Sequence, residues 1–128
     1  MPYELLVSDH VSAAHNLRQY KGKCEHLHGH NWRVDLRITG DDLDDGGMLV
    51  DFVVVKRLLA EALEDLDHAY LNEVPPFDEI NPSSENLARV IAGRVAKRLP
   101  AGVRLTSVTT WESERCAVTY RPKETGNA

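Results

Sequence analysis

His28-Gly29-His30-Asn31-Trp32-Arg33-Val34-Asp35-Leu36-Arg37-Ile38-Thr39 changes character at nearly every step. Successive side chains of a strand point to opposite faces. His28, His30, Trp32, Val34, Leu36 and Ile38 therefore share one side, and Asn31, Arg33, Asp35, Arg37 and Thr39 the other. The pattern predicts a strand whose buried face begins with two histidines, their Cα atoms roughly 6.5 to 7 Å apart. Two ring nitrogens at that spacing can converge on one metal ion. Just upstream lie Cys24, Glu25 and His26, so a thiol, a carboxylate and three imidazoles fall within seven consecutive residues, the densest reactive cluster in the chain.

Working outward, Tyr3 to Ala14 carries β-compatible residues (Tyr3, Leu5, Val7, Val11) that alternate less cleanly. This predicts an antiparallel partner strand with room for a bulge before His15. Asp41 to Gly47 is a solvated turn by composition and lacks the alternate-ligand spacing and distal glutamate of a calcium loop. Asp51 is placed to cap a helix in which Val55, Leu58, Leu59, Ala62, Leu63 and Leu66 recur at three- and four-residue steps. Asp67 and His68 fall at its C-terminal end. Val74-Pro75-Pro76-Phe77 and Asn81-Pro82 break the chain. Ser83 or Asn81 can then cap a second helix bearing Leu87, Val90, Ile91, Val95 and Leu99, which Pro100 and Gly102 stop. Arg104 to Glu112 and Cys116 to Arg121 are β-rich and joined by the turn Ser113-Glu114-Arg115. The order β-β-α-α-β-β predicts a single α+β domain over 1–121, a four-stranded antiparallel sheet with both helices on one face, and a frayed tail over 122–128.

A chain of 128 residues with 42% hydrophobic and 27% charged residues has the composition of a soluble domain able to build its own core. No apolar run approaches the roughly 20 residues needed to span a bilayer. Its net charge of -5 and the absence of a basic stripe argue against nucleic acid as a partner and favour a small molecule. Met1-Pro2-Tyr3-Glu4 does not read as a secretory signal, so Cys24 and Cys116 are expected to be reduced thiols and the cytosol is the expected compartment.

All six histidines lie within the first 68 residues. A catalytic zinc takes three imidazoles at about 2.0 to 2.1 Å and keeps its fourth position open, whereas a structural zinc is closed by four protein ligands. His15, His28 and His30, on two neighbouring strands, are the candidate set; the alternative is ordinary histidines, since His-x-His recurs by chance. Cys24 can be a fourth ligand, a small buried group, or a base or nucleophile, and spacing does not choose among these. A thiol with a reference pKa of about 8.5 becomes useful near neutrality when a histidine or a metal favours the thiolate. His68 with Asp67 is the candidate partner, against the plainer meaning of a cation at a helix C-terminus. Glu112, at a strand end, and Glu85, in the first turn of a helix, are either surface charges or carboxylates that accept two adjacent N–H donors of a ring.

Taken together, Ser12-Ala13-Ala14-His15, Cys24-x3-His28-Gly29-His30-Asn31, Asp51-Phe52, Leu66-Asp67-His68-x2-Leu71-Asn72, Pro82-Ser83-Ser84-Glu85-Asn86-Leu87-Ala88 and Glu112 strongly resemble the family of 6-pyruvoyl-tetrahydropterin and 6-carboxytetrahydropterin synthases. The match runs in order from about Tyr3 to Arg121. The resemblance implies a tunnelling fold, with sheets from three subunits closing a barrel and two trimers stacking into a homohexamer whose active sites lie between subunits. It implies one zinc per subunit on His15, His28 and His30, with Cys24 as proton acceptor, Asp67 and His68 as its relay, and Glu112 as the pterin anchor that joins the relay. Glu85 matches a second carboxylate near the pterin. The implied substrate is 7,8-dihydroneopterin triphosphate.

The short interval from Cys24 to His28 resembles the branch that forms 6-carboxytetrahydropterin for 7-deazaguanine and queuosine synthesis; the pyruvoyl-forming branch has a longer one. Glu25, directly after Cys24, resembles a further branch that uses a glutamate there for retro-aldol cleavage to 6-hydroxymethyl-7,8-dihydropterin. The two residues together look like a combined type, unless Glu25 is only a loop carboxylate. Two other classes compete: a structural zinc module closed by Cys24, and a zinc-independent cysteine hydrolase using Cys24, His68 and Asp67.

Overall fold

The computed structural model describes residues 2–20, 22 and 25–123. Residues 124–128 of the expected tail lie outside them, as does Cys24. Two 13-residue strands, β1 (Tyr3–His15) and β2 (His28–Gly40), pair antiparallel from Tyr3 opposite Gly40 to His15 opposite His28. The expected bulge before His15 is absent, because the ladder runs in continuous register to its end. The irregularity lies instead between Arg37 and Ile38, where β2 pairs with β4 (Val103–Ser113). A final strand, β5 (Cys116–Tyr120), stops one residue short of the predicted Arg121.

The α+β class and the helix placement hold, but the sheet has five strands rather than four. A two-residue strand, β3 (Ala69–Tyr70), joins β1 in parallel, giving the order β3-β1-β2-β4-β5 and a mixed sheet. Two residues are too few to show a period, and their partner is more than 50 residues away in sequence.

Helix α1 (Phe52–Leu63) begins where the Asp51 carboxylate accepts from the Val53 N–H, and α2 (Ser84–Ala96) where the Ser83 hydroxyl accepts from the Asn86 N–H. Each satisfies one of the backbone donors that a helix start leaves unpaired. Asn81 does not cap; it is engaged elsewhere. Val7, Val11, Trp32, Val34, Leu36 and Val108 from one face of the sheet form one core with Val55, Leu59, Leu87 and Ile91 from the helices. Leu66 belongs to that core although α1 ends at Leu63, so the apolar repeat outruns the helix. Asp67 and His68 therefore sit in a turn beyond α1, with His68 at φ 58°, rather than at a helix C-terminus. No helix among the described residues is long and apolar enough to cross a membrane.

The opposite face of the sheet is polar, yet it buries a carboxylate. Asp35 is 2% exposed and accepts from Ser8 Oγ at 2.6 Å, Arg33 Nε at 2.8 Å and Trp111 Nε1 at 3.0 Å. Burial alone would raise its pKa, but these bonds and the Arg33 charge hold it below the ordinary carboxylate range. Stability drawn from ionised Asp35 is complete above its unfolded pKa of about 3.9 and is lost as pH falls through the lower folded value. Asp35→Asn is expected to cost about 1.5 to 3 kcal/mol at pH 7. In urea unfolding, its deficit relative to wild type should shrink below about pH 4.

Candidate metal centre and adjoining pocket

The β1–β2 register places His15 opposite His28 and Ala13 opposite His30, which gathers three imidazoles at one end of the core face. Their ring centroids are 4.7 to 5.2 Å apart, and one ligand nitrogen from each falls within 4.8 Å of the others. Trp32 packs edge-on to His15 and His30 at 4.9 and 5.0 Å and closes the site from the core side.

The hydrogen bonds assign the tautomers. His15 Nδ1 lies 2.7 Å from the Pro82 carbonyl oxygen, and His28 Nδ1 lies 2.8 Å from that of His26. A carbonyl only accepts, so both Nδ1 atoms carry the proton and both Nε2 atoms are bare in the neutral rings. Those two Nε2 atoms face each other at 3.1 Å, where two lone pairs repel. His30 Nε2 is buried without a hydrogen-bond partner. A tetrahedral zinc with bonds of about 2.0 to 2.1 Å needs ligand nitrogens about 3.4 Å apart, so the residues present fit such an ion. Burial also holds His30 below the ordinary imidazole range. Glu112 and Glu25 pull the other way, and His15 and His28 reinforce the burial. The neutral ring is the form that ligates.

Beside the triad opens a cavity of about 330 Å³ whose wall includes His28, Glu25, Ser84, Glu85, Glu112 and Cys116. The Glu112 carboxylate is 3.8 Å from His30 Nε2 and accepts from the Ser84 hydroxyl at 3.3 Å. Ser84 is held in turn, its carbonyl accepting from Thr110 Oγ1 at 2.9 Å. Glu25 accepts from the Leu17 N–H at 3.1 Å, its own N–H donates to the Leu17 carbonyl at 2.9 Å, and its carboxylate lies 3.9 Å from His28 Nδ1. Glu85 is an exposed acid in the first turn of α2, on the cavity wall.

Asp67 and His68 are brought to each other but not to this cavity. Asp67 accepts from the Ser12 N–H at 2.9 Å, and that bond, first among the causes, holds its pKa below the usual range. His68 Nδ1 is 3.1 Å from Asp67, with the imidazole side chain 82% exposed. His68 adjoins a second cavity, of about 700 Å³, whose wall also includes Ser12, His30, Asn31 and Tyr70, so His30 borders this cavity while His15 and His28 border the first. Its wall draws on both faces of the sheet, with Ser12 and Asn31 alternating with the core-face positions Ala13 and His30. Cys24, the expected proton acceptor, lies outside the described residues. The Pro82 carbonyl that accepts from His15 and the Leu17 backbone that holds Glu25 are not legible from periodicity; only the dipeptide Asn81-Pro82 marks the first.

The model of the 6-pyruvoyl tetrahydropterin synthase family matches residues 4–123. The chain belongs to this family. It is 33% identical to the 6-carboxy-5,6,7,8-tetrahydropterin synthase of Bacillus subtilis, over 97% of this chain and 88% of the relative. It is 32% identical to the dihydroneopterin monophosphate aldolase of Pyrococcus furiosus (73% and 77% covered). It is 33% identical to human 6-pyruvoyl tetrahydrobiopterin synthase (91% and 81%). Among solved structures, the Caenorhabditis elegans 6-pyruvoyl tetrahydropterin synthase superposes with a TM-score of 0.81 at 24% identity, covering 94% of this chain and 96% of that one. The Plasmodium vivax 6-pyruvoyltetrahydropterin synthase superposes at 0.75 and 22% identity, covering 95% and 98%, in a form described as a catalytic residue mutant with glutamate replaced by alanine. These likenesses establish the tunnelling fold. Metal analysis of the purified protein is expected to find about one zinc per chain. Replacing His28 or His30 by alanine should abolish its retention through dialysis.

Proposed function

We propose that the chain is a zinc-dependent lyase that converts 7,8-dihydroneopterin triphosphate and water to 6-carboxy-5,6,7,8-tetrahydropterin, acetaldehyde and triphosphate. The observation that carries this is the set of three imidazoles, with one ligand nitrogen of each within 4.8 Å of the others, two of the rings on the wall of a cavity that also presents Glu112. Glu112 would accept the two adjacent N–H donors of the pterin ring, since a carboxylate meets such a pair with both oxygens. Ser84 fixes the orientation of that carboxylate, and Glu85 stands beside it as a further acceptor. Bound to His15, His28 and His30, zinc would act as a Lewis acid toward the side-chain oxygens of the substrate. Cys24 would take a proton from that side chain, and His68, oriented by Asp67, would carry protons to and from it. The competing reading is a structural zinc closed by Cys24 as fourth ligand; a domain that stays largely folded after chelation would favour the catalytic metal, and one that unfolds the structural one.

That Asp67 and His68 stay outside the cavity lined by Glu25, Glu85 and Glu112 supports assembly. Asp67 and His68 of one chain would serve the triad of another, as in a homohexamer of two trimers with sites between subunits, working in the cytosol. Subunits carrying His28→Ala and subunits carrying His68→Ala, each inactive alone, are expected to regain part of the activity when co-assembled. Mixed assemblies that stay inactive would sink this arrangement.

Glu25 supports a second activity, retro-aldol cleavage to 6-hydroxymethyl-7,8-dihydropterin, because it is held at the cavity wall by Leu17 and lies near His28. A relative named as an aldolase points the same way. Formation of 6-pyruvoyl-tetrahydropterin is the third outcome to be separated. Incubation with dihydroneopterin triphosphate and mass analysis of products should show the carboxy product as the main one. Cys24→Ala is expected to lose that product while keeping zinc, and Glu25→Ala to lose any hydroxymethyl product. An unchanged product ratio in the Glu25 variant would refute its catalytic role. Activity that survives chelation would favour a cysteine hydrolase instead.

A further inference from the structure

We infer that Arg18 is a positioning residue for the metal centre, acting through the Pro82 carbonyl on the His15 imidazole. The inference rests on the metal reading of the histidine triad.

Between the turn at Leu71–Glu73 and α2, the chain runs through Val74-Pro75-Pro76-Phe77 and Asn81-Pro82, where three prolines remove backbone donors. The Val74 and Pro76 carbonyls accept within the segment, and others find their partners elsewhere. The Arg18 guanidinium supplies them: Nη1 donates to the Ile80 carbonyl at 3.1 Å, and Nη2 to those of Phe77 at 2.7 Å and Asn72 at 3.1 Å. A planar fork that gathers three carbonyls fixes the curvature of the segment, which a single point charge on a flexible stem does not.

Two asparagines complete the clasp. Asn81 accepts from the Arg18 N–H at 2.7 Å and donates to the Arg18 carbonyl at 3.1 Å. Asn72 does the same for Asn16, at 3.0 and 2.8 Å. The backbone of residues 16–18 is thereby zipped to residues 72–81 on both sides of the guanidinium. His15 directly precedes clasped Asn16, and Pro82 directly follows clasped Asn81, so both partners of the 2.7 Å contact are tied to this clasp through the chain. If Pro82 O moves away, His15 Nδ1 loses its acceptor and the proton is free to move to Nε2. A protonated Nε2 cannot ligate. The same stretch also holds Glu25 through Leu17.

Arg94 provides the control. It too braces this region, donating to the carbonyls of Ala62 at 2.9 Å and Pro75 at 3.5 Å and pairing with Asp65, but among its contacts none reaches residues 15–18. Zinc affinity would be measured by competition with a chromophoric chelator on the full chain, alongside the thermal midpoint of the zinc-free protein and the exchange rate of the His15 Nδ1 proton by NMR. Arg18→Met is expected to lose about 10- to 100-fold in zinc affinity and to exchange that proton faster. Arg94→Met should lower the midpoint while its loss of zinc affinity stays well short of the roughly 10-fold minimum expected for Arg18→Met. A folded Arg18→Met that binds zinc as wild type does, or an Arg94→Met that loses as much as Arg18→Met, overturns the inference. If Arg18→Met does not fold, Arg18→Lys decides. It keeps the charge without the fork, and wild-type zinc affinity and proton exchange in it overturn the inference, while an intermediate loss sustains it. Wild-type protein that takes up no zinc would overturn the metal reading itself, an outcome distinct from unchanged affinity in the variants.

Discussion

The antiparallel ladder between β1 and β2 is the constraint on which the rest depends. Its pairs run without interruption from Tyr3 and Gly40 to His15 and His28. Because side chains alternate with a period of two, a slip of one residue would carry every side chain of one strand to the other face. His15 would leave His28 and His30, and Val7 and Val11 would leave Leu36 and Trp32. One register thus serves packing and chemistry at once. The fully buried Trp32 marks the boundary, with the apolar core on one side of it and the imidazoles on the other.

Backbone carbonyls do much of the fine positioning. Pro82 and His26 each accept from the Nδ1 of a ligand candidate, and so turn two histidines into rings with bare Nε2 atoms aimed at each other. Without a cation the arrangement leaves lone pairs in conflict and a third nitrogen buried without a partner, a combination that folded proteins rarely leave uncompensated. The polar face of the sheet shows the opposite condition. Asp35 is buried with donors from Ser8, Arg33 and Trp111 around it, so the charge is kept and fully used.

What could be read in advance follows from which interactions are local. Alternation from His28 to Thr39 and the three- and four-residue steps from Val55 to Leu63 exposed β2 and α1, and the caps Asp51 and Ser83 were visible as residue types before an apolar run. The β3 strand, the turn that carries Asp67 and His68, and the clasp around Arg18 were hidden, since each is made by pairing across more than 50 residues. For the site, His-x-His named two of the three histidines, while His15 emerged only with the partner strand. Nothing in the pattern around Arg18 distinguishes it from a solvated arginine. Likewise, that His68 borders a different cavity from Glu85 and Glu112 is a property of topology that composition and spacing do not encode.

The chain has only two tryptophans, and the fold gives each a different neighbourhood. Trp32 is fully buried with its ring against His15 and His30, while Trp111 lies on the polar face, its indole N–H on Asp35 and the Arg33 guanidinium 5.8 Å from its ring. A charge arriving at the imidazoles changes the field at one indole and leaves the other beside its own ion pair. Whatever covers the open face of the sheet changes the second and leaves the first in its dry pocket. Two native fluorophores therefore divide the molecule's events between them, with occupancy of the histidine site read at Trp32 and contact on the polar face read at Trp111, with no added label.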